Sequence, residues 1–456
     1  MKKLLISALA LVLCGNVMAQ DPKEVKAQQK AISGLLKEAE KASKVSEDAM
    51  GQVDTSKVPD FATAMAKIAE ANANQYASTM AGDIARTAAG IMNNKVRFNT
   101  PGAMAGDDAA LKDYLLSCGE GFKYLQQAWD AYKVPDEKGK VNTKYNDKMA
   151  ADAANFFINS SGLYNSALIA YQAEDWMNSA AYFDLAGDAI GCEMLEHAKA
   201  KNPLLVANMV TFETDSAKYK NKIFAASTYK NANAERALEA YKALVGTPAS
   251  QFDVFSGIVT IYSEKADTTS MVEWLQKGME VMPEDSRFAT SLFYIYLDKG
   301  DYEGAISSLK ATLNNTPDNI SVITLIARLY TQQGQFAEAT PYYQKALALD
   351  AENLDANLYY GLNYLSEMEA GESEMLKNHA REAEMDAYSN GKLDAALPYL
   401  RKAFQLDTNH ENNDIATLLM QVLYRKFQPS GAQNKAALIA EYNEVADAYG
   451  RPTYNR

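Results

Sequence analysis

The chain has 456 residues, 48% of them apolar and 23% charged, a globular balance with length for several domains or for one extended stack of repeats. Its formal charge is −13, from 45 Lys+Arg against 58 Asp+Glu. So acidic a surface repels phosphate backbones and anionic lipid, which counts against general nucleic-acid binding and electrostatic docking on membranes.

Residues 1–19 read as a secretory signal. Lys2-Lys3 precede an apolar run from Leu4 to Leu13, Gly15-Asn16 break the helix, and Val17-Met18-Ala19 suit a signal peptidase. Cleavage is expected before Gln20, giving a protein outside the cytoplasm, periplasmic or otherwise extracytoplasmic. The run is too short to span a bilayer and no other stretch approaches about twenty apolar residues, so no integral membrane segment is expected after cleavage. Cys14 raises the alternative of a lipid-anchored outer-membrane protein, but Leu13 stands where that signal wants a small residue. Of the cysteines beyond the leader, Cys118 and Cys192, an oxidising compartment permits a bridge; two buried thiols fit as well.

Residues 20–150 form a helical N-terminal region with divergent repeats or none. Asp21 to Lys57 is Lys/Ala/Glu/Gln-rich, and Met65-Ile68 and Leu115-Phe122-Leu125-Trp129 carry helical apolar spacing. Over residues 151–250, Ala167-x2-Ala170-Tyr171, Asp175-Trp176 and Tyr182-Phe183-x2-Ala186 phase as a divergent helix pair. Glu235-Arg236-Ala237-x3-Tyr241-x2-Leu244 has the stripe of a second helix.

The strongest signal lies in residues 251–408. Tyr262, Tyr296, Tyr330 and Tyr364 fall 34 residues apart, and Gly300/Gly334, Ala305/Ala339, Leu309/Tyr343 and Pro283/Pro317 keep that spacing. In Ile323-x2-Ile326-Ala327-x2-Tyr330 the apolar residues share one face of a first helix; Gly334-Gln335-Phe336 turns the chain; Ala339-x3-Tyr343-x2-Ala346 stripes a second helix. A 34-residue period with aromatic, small and proline positions in fixed phase resembles the tetratricopeptide-repeat (TPR) family. The resemblance implies an all-α fold, an α-solenoid of helix-turn-helix repeats wound as a right-handed superhelix. About five or six units are expected, the weak pairs of residues 151–250 counting as divergent TPR-like helices.

One unit is too long. Gly334 to Gly391 is 57 residues instead of 34, and the surplus stretch 365–390 is rich in Glu, Ala, Met and Lys, all good helix formers. It predicts both helices of the pair lengthened by roughly three turns, projecting about 15 Å, with Gly371 as the turning point. Residues 409–456, with Ile415-Leu418-Leu419-Val422-Leu423 and Leu438-Tyr442-Val445, predict a terminal pair that caps the stack.

No catalytic constellation stands in the sequence. The three histidines, His197, His379 and His410, have no metalloprotease spacing and read as surface residues; no Cys-x-x-Cys and no phosphate loop occur. Acidic runs such as Glu372-Ser373-Glu374 read as solvated helix faces. No enzyme, no metal and no cofactor is expected.

What the TPR resemblance implies instead is a protein or peptide ligand on the concave surface, which first helices line. Residues interrupting the packing stripe there are Thr260, Ser263, Tyr294, Thr324, Arg328, Leu358, Tyr359 and Leu362, and of these Tyr294, Thr324, Arg328 and Tyr359 are the candidate partner-binding residues. A terminal-carboxylate clamp is disfavoured, because Ser256, Thr260, Thr290, Tyr294, Thr324 and Arg328 supply a single cation. The expected function is a non-catalytic exported scaffold in the cell envelope. The alternative is a component of outer-membrane glycan capture.

Overall fold

The computed structural model describes residues 22–73, 80–136, 138–209, 212, 214–283, 285–428 and 434–454. The expected leader, with Cys14 and the cleavage point before Gln20, lies outside the described residues. Every regular element among the described residues is helical, and the chain forms two compact units, Met1–Ile261 and Tyr262–Arg456.

The first unit holds α1 (Pro22–Ala42), α2 (Phe61–Ala73), α3 (Ala81–Met104), α4 (Asp108–Lys133), α5 (Asn146–Asn159), α6 (Tyr164–Gln172), α7 (Trp176–Ala189), α8 (Glu193–Lys201), α9 (Leu204–Met209), α10 (Asp215–Ala232) and α11 (Ala234–Ala243), and the boundary falls inside α12 (Gln251–Glu264). Its core gathers Phe122, Leu125 and Trp129 of α4 with Phe156 and Phe157 of α5. Between α6 and α7 the chain turns through Glu174 at φ +56°, and Asp175 then caps α7 by accepting a hydrogen bond from the Asn178 N–H at 3.4 Å. Cys118 is buried and Cys192 half-buried, and no disulfide joins them.

The second unit contains α13 (Thr268–Val281), α14 (Ser286–Lys299), α15 (Tyr302–Asn315), α16 (Ile320–Gln332), α17 (Phe336–Leu349), α18 (Leu354–Lys377), α19 (Glu382–Leu406), α20 (Asn413–Phe427) and α21 (Lys435–Ala448). The 34-residue period governs its turns as well as its packing. Ala266, Gly300 and Gly334 all take the left-handed conformation, at φ +54°, +67° and +73°. Each first helix opens on a side-chain cap in the same register: Asp285 accepts from the Arg287 N–H (3.1 Å), Asn319 from Val322 (3.1 Å) and Asn353 from Ala356 (2.9 Å). These caps satisfy amides that a helix start otherwise leaves unbonded. Between the caps, Ala289, Leu292, Ile323, Ile326 and Ala327 of the first helices and Ala305, Leu309, Ala339, Tyr343 and Ala346 of the second are buried. The small residues set the close helix approach, and the Leu and Tyr side chains fill the space beside them.

The long pair is α18 and α19, of 24 and 25 residues against 13 and 14 for α16 and α17. The turn is not at Gly371. That residue lies inside α18, where a Cβ would come within 2.3 Å of the Tyr388 hydroxyl, so its small size serves the close approach of α19. The chain turns instead at Asn378–Arg381, with His379 at φ +55°. Gly391 likewise lies inside α19 and turns nothing. Nor does the whole surplus stand free. Leu365, Met368, Leu393 and Leu397 share a core with Leu419, Leu423 and Phe427 of α20, and Arg425 of α20 pairs with Glu372. Only beyond Glu372 is the hairpin largely exposed, at Ser373, Glu374, Leu376 and Lys377.

Below the long pair, α20 and α21 form the terminal helix pair. Its connection to α19 runs through Asp407, whose carboxylate accepts the Tyr449 hydroxyl at 2.6 Å and the Glu411 and Asn412 N–H groups at 3.3 and 3.0 Å. His410 is half-buried there, stacked on Phe404 with ring centroids 5.4 Å apart, and so is not the surface residue its turn position suggests.

Candidate partner-binding face

Three successive first helices of the second unit, α14, α16 and α18, lie side by side. The middle one is enclosed by its neighbours: Val322, Ile323, Leu325, Ile326, Ala327 and Leu329 are all buried. Arg328 is a half-buried cation on that helix. Its guanidinium carbon lies 4.6 Å from the centroid of the Phe293 ring on α14 and 3.9 Å from that of the Tyr359 ring on α18. Two aromatic faces on neighbouring helices hold the cation by quadrupole attraction and dispersion. Among the described residues the guanidinium has neither a hydrogen bond nor an ion pair.

Next to this stack, Tyr294 is 54% exposed and its ring meets Phe293 edge-on at 5.2 Å and 84°. Tyr359 is half-buried, and burial raises its hydroxyl above the ordinary tyrosine range against the pull of Arg328; Asp355, Tyr294 and Asp414 act on it in the same raising direction. Both carboxylates are exposed. The face therefore presents two phenol rings, one π-bracketed guanidinium and an acidic rim.

The structure brings Tyr294, Arg328 and Tyr359 together and removes Thr324 from the set. Thr324 is 3% exposed, with an unpartnered buried hydroxyl, because α16 is covered on both flanks and its buried arc is wider than the apolar stripe alone implies. Leu358 is buried as well, while Ser263 is exposed near the start of the unit and Leu362 is half-buried. Thr260 is exposed and belongs to the first unit. Phe293, the second ring under Arg328, escaped sequence reasoning. It sits in the packing stripe beside Leu292 and is 1% exposed, so its spacing signals core alone.

Elsewhere polar chemistry is spent on structure. Thr331 donates to Asn363 Oδ1 at 2.7 Å and lies 3.3 Å from the Tyr343 hydroxyl, tying α16, α17 and α18 together. Tyr343, Tyr360, Tyr364 and Tyr399 stack at centroid separations of 4.5 to 6.1 Å. His197 Nε2 lies 2.7 Å from Asp147 Oδ1, and His379 is exposed in its turn. Burial pushes the Cys118 thiol up to about 12, away from the thiolate form that a nucleophile needs. Among the described residues no group of three or more His, Cys, Asp or Glu side chains is placed to hold a metal ion, and no helix is long and apolar enough to cross a membrane.

The family model described as tetratricopeptide repeat matches residues 322–356, which span α16, α17 and the start of α18. A DnaJ protein P58IPK homolog of Arabidopsis thaliana is 27% identical over 158 residues, 34% of this chain and 30% of that protein, so the chain spans under a third of that relative's length. Among solved structures, MamA AMB-1 aligns over 41% of this chain and 97% of its own at 20% identity, with a TM-score of 0.26. The P58(IPK) TPR domain aligns over 89% of this chain and 100% of its own at 14% identity and a TM-score of 0.24. The TPR2AB domain of yeast Sti1, in a complex with an HSP90 peptide, aligns over 70% and 99% at 16% identity and a TM-score of 0.22.

Proposed function

We propose, from the premise that this chain is a tetratricopeptide-repeat protein, that it is a non-catalytic scaffold holding a partner protein or peptide on the face of α14, α16 and α18. One observation carries the reading: Tyr294, Arg328 and Tyr359, from three successive first helices, converge on one face where a tyrosine stands 54% exposed. Tyr and Arg are enriched at interface hot spots because each offers large contact area and directed hydrogen bonds on one side chain. The Lys2-Lys3 and Leu4–Leu13 pattern of the sequence supports export, and with it a working place in the cell envelope.

Site-specific photo-crosslinking in cells tests this. A photoreactive residue at position 294 is expected to trap a discrete protein partner, and one at the exposed Ser307 of α15 is not. Arg328→Glu combined with Tyr359→Ala in a folded chain should abolish the 294 adduct. Equal trapping from both positions, or none from 294, would sink the assignment of this face. Fractionation of the same cells decides export: accumulation of the mature form in the cytosol would refute it.

A further inference from the structure

The Arg328 guanidinium carbon lies over the rings of Phe293 and Tyr359, 4.6 and 3.9 Å from their centroids, and its N–H groups have no acceptor among the described residues. Guanidinium offers five donors in a fixed fork. Packing against two rings restricts the fork and leaves its donors for a ligand. The shape that matches such an edge is a carboxylate, accepting two parallel N–H bonds. We propose that the partner segment presents one acidic side chain, within the segment rather than at its chain terminus, to the edge of Arg328, and lays its neighbouring residues on Tyr294 and Tyr359. This rests on the partner-binding reading of the face above.

The surroundings restrict the ligand to a single carboxylate. Asp355 and Asp414 are exposed on this face, and the whole chain carries −13. A run of acidic residues would meet the like charge of these two carboxylates, at a cost that grows with each added carboxylate. One carboxylate seated on the guanidinium gains a charge-assisted pair at short range and leaves the rim to neutral or basic neighbours. A chain-terminal acidic residue would bring two carboxylates to one cation.

The test is a random-sequence peptide library, every member acetylated and amidated so that no terminal charge remains, screened against the full chain. Retained peptides are expected to share an Asp or Glu at one aligned position without acidic runs. Individual binders should weaken about 10- to 100-fold with Arg328→Gln, and by a similar amount with Arg328→Lys, which keeps the charge and loses the fork. Circular dichroism and the unfolding midpoint establish that each variant is folded. Peptides retained without an acidic bias, or a bias that survives Arg328→Gln, overturn the carboxylate assignment while the partner-binding face stands. If a parallel library with free C-termini is retained far more strongly, with the bias at its last residue, the arginine seats a terminus and the side-chain assignment is overturned. If no peptide is retained by either library, the reading of this face as a peptide-binding surface itself fails.

Discussion

The guanidinium of Arg328 lies 3.9 Å from the centroid of the Tyr359 ring, across the contact between α16 and α18. The two residues come from successive repeats, 31 positions apart in sequence, so the stack joins the surface chemistry of the face to the spacing of its helices. A double-mutant cycle with Arg328→Ala and Tyr359→Leu is expected to give a coupling of about 0.5–1 kcal/mol in urea unfolding. Tyr359→Phe keeps the ring and should keep most of it. Coupling near zero would mean that the residues are neighbours without being partners.

The left-handed turn before each second helix gives a second expectation. Ala266 occupies at φ +54° the position that Gly300 and Gly334 take at +67° and +73°. A Cβ in that conformation crowds the following carbonyl, at about 1 kcal/mol or more. Ala266→Gly should therefore raise stability by about 0.5–1 kcal/mol, and Gly300→Ala should lower it by about as much. Thermal or urea unfolding of both variants decides it. Two changes of the same sign would contradict the assignment.

Capping adds a third. Asp267 and Asp301 accept from the Ser270 and Gly304 N–H groups at 3.0 and 2.9 Å, whereas Gln335 at the same register makes no side-chain cap. Gln335→Asp should stabilise by about 0.5–1 kcal/mol, and Asp301→Gln should lose a similar amount. If Gln335→Asp leaves the unfolding midpoint unchanged, the amides at that helix start have another acceptor.

These turns show what the sequence discloses and what it hides. Tyr296, Tyr330, Gly300 and Gly334 are legible because aromatic and glycine positions tolerate few replacements, so their spacing survives as a pattern. Ala266 and His379 perform the same turn with unremarkable residue types, so Gly371, a glycine inside α18 that turns nothing, stands out in the sequence where His379 does not. Helix length was legible from composition; the packing of α20 against the long pair depends on pairings such as Arg425 with Glu372, 53 residues apart. On the binding face, exposure was inferred from polarity. That succeeded for Tyr294 and failed for Thr324, because a helix covered on two sides buries polar positions with its apolar ones.

Gly371 supplies a fourth expectation, in which sign is the test. In a helix interior Gly→Ala ordinarily gains about 1 kcal/mol. Here a Cβ would meet the Tyr388 hydroxyl at 2.3 Å and displace a ring whose hydroxyl donates to the Glu367 carbonyl at 2.9 Å. Gly371→Ala should thus destabilise the wild-type chain by about 1 kcal/mol and stabilise a Tyr388→Ala chain. Equal effects in both backgrounds would show that the ring yields without loss.

Acid unfolding probes the joint between the long pair and the terminal helices. Burial alone would raise the Asp407 carboxyl; the Tyr449 hydroxyl at 2.6 Å and the Asn412 and Glu411 N–H groups outweigh it and leave the pKa below the ordinary carboxylate value. The folded state therefore binds this proton less readily than the unfolded state does. Its contribution to stability is complete above the unfolded pKa, about 3.9, and is lost as pH falls through the lower folded value. Urea midpoints from pH 6 to pH 2 should show wild type ahead of Asp407→Asn by a constant margin down to about pH 5, with the margin closing below about pH 4. Tyr449→Phe removes one donor to the carboxylate, moves the folded pKa toward its unfolded value and should leave a smaller margin over the same range. A margin that stays constant to pH 2 would show that Asp407 acts through shape and hydrogen bonding alone, with its charge contributing nothing to the joint.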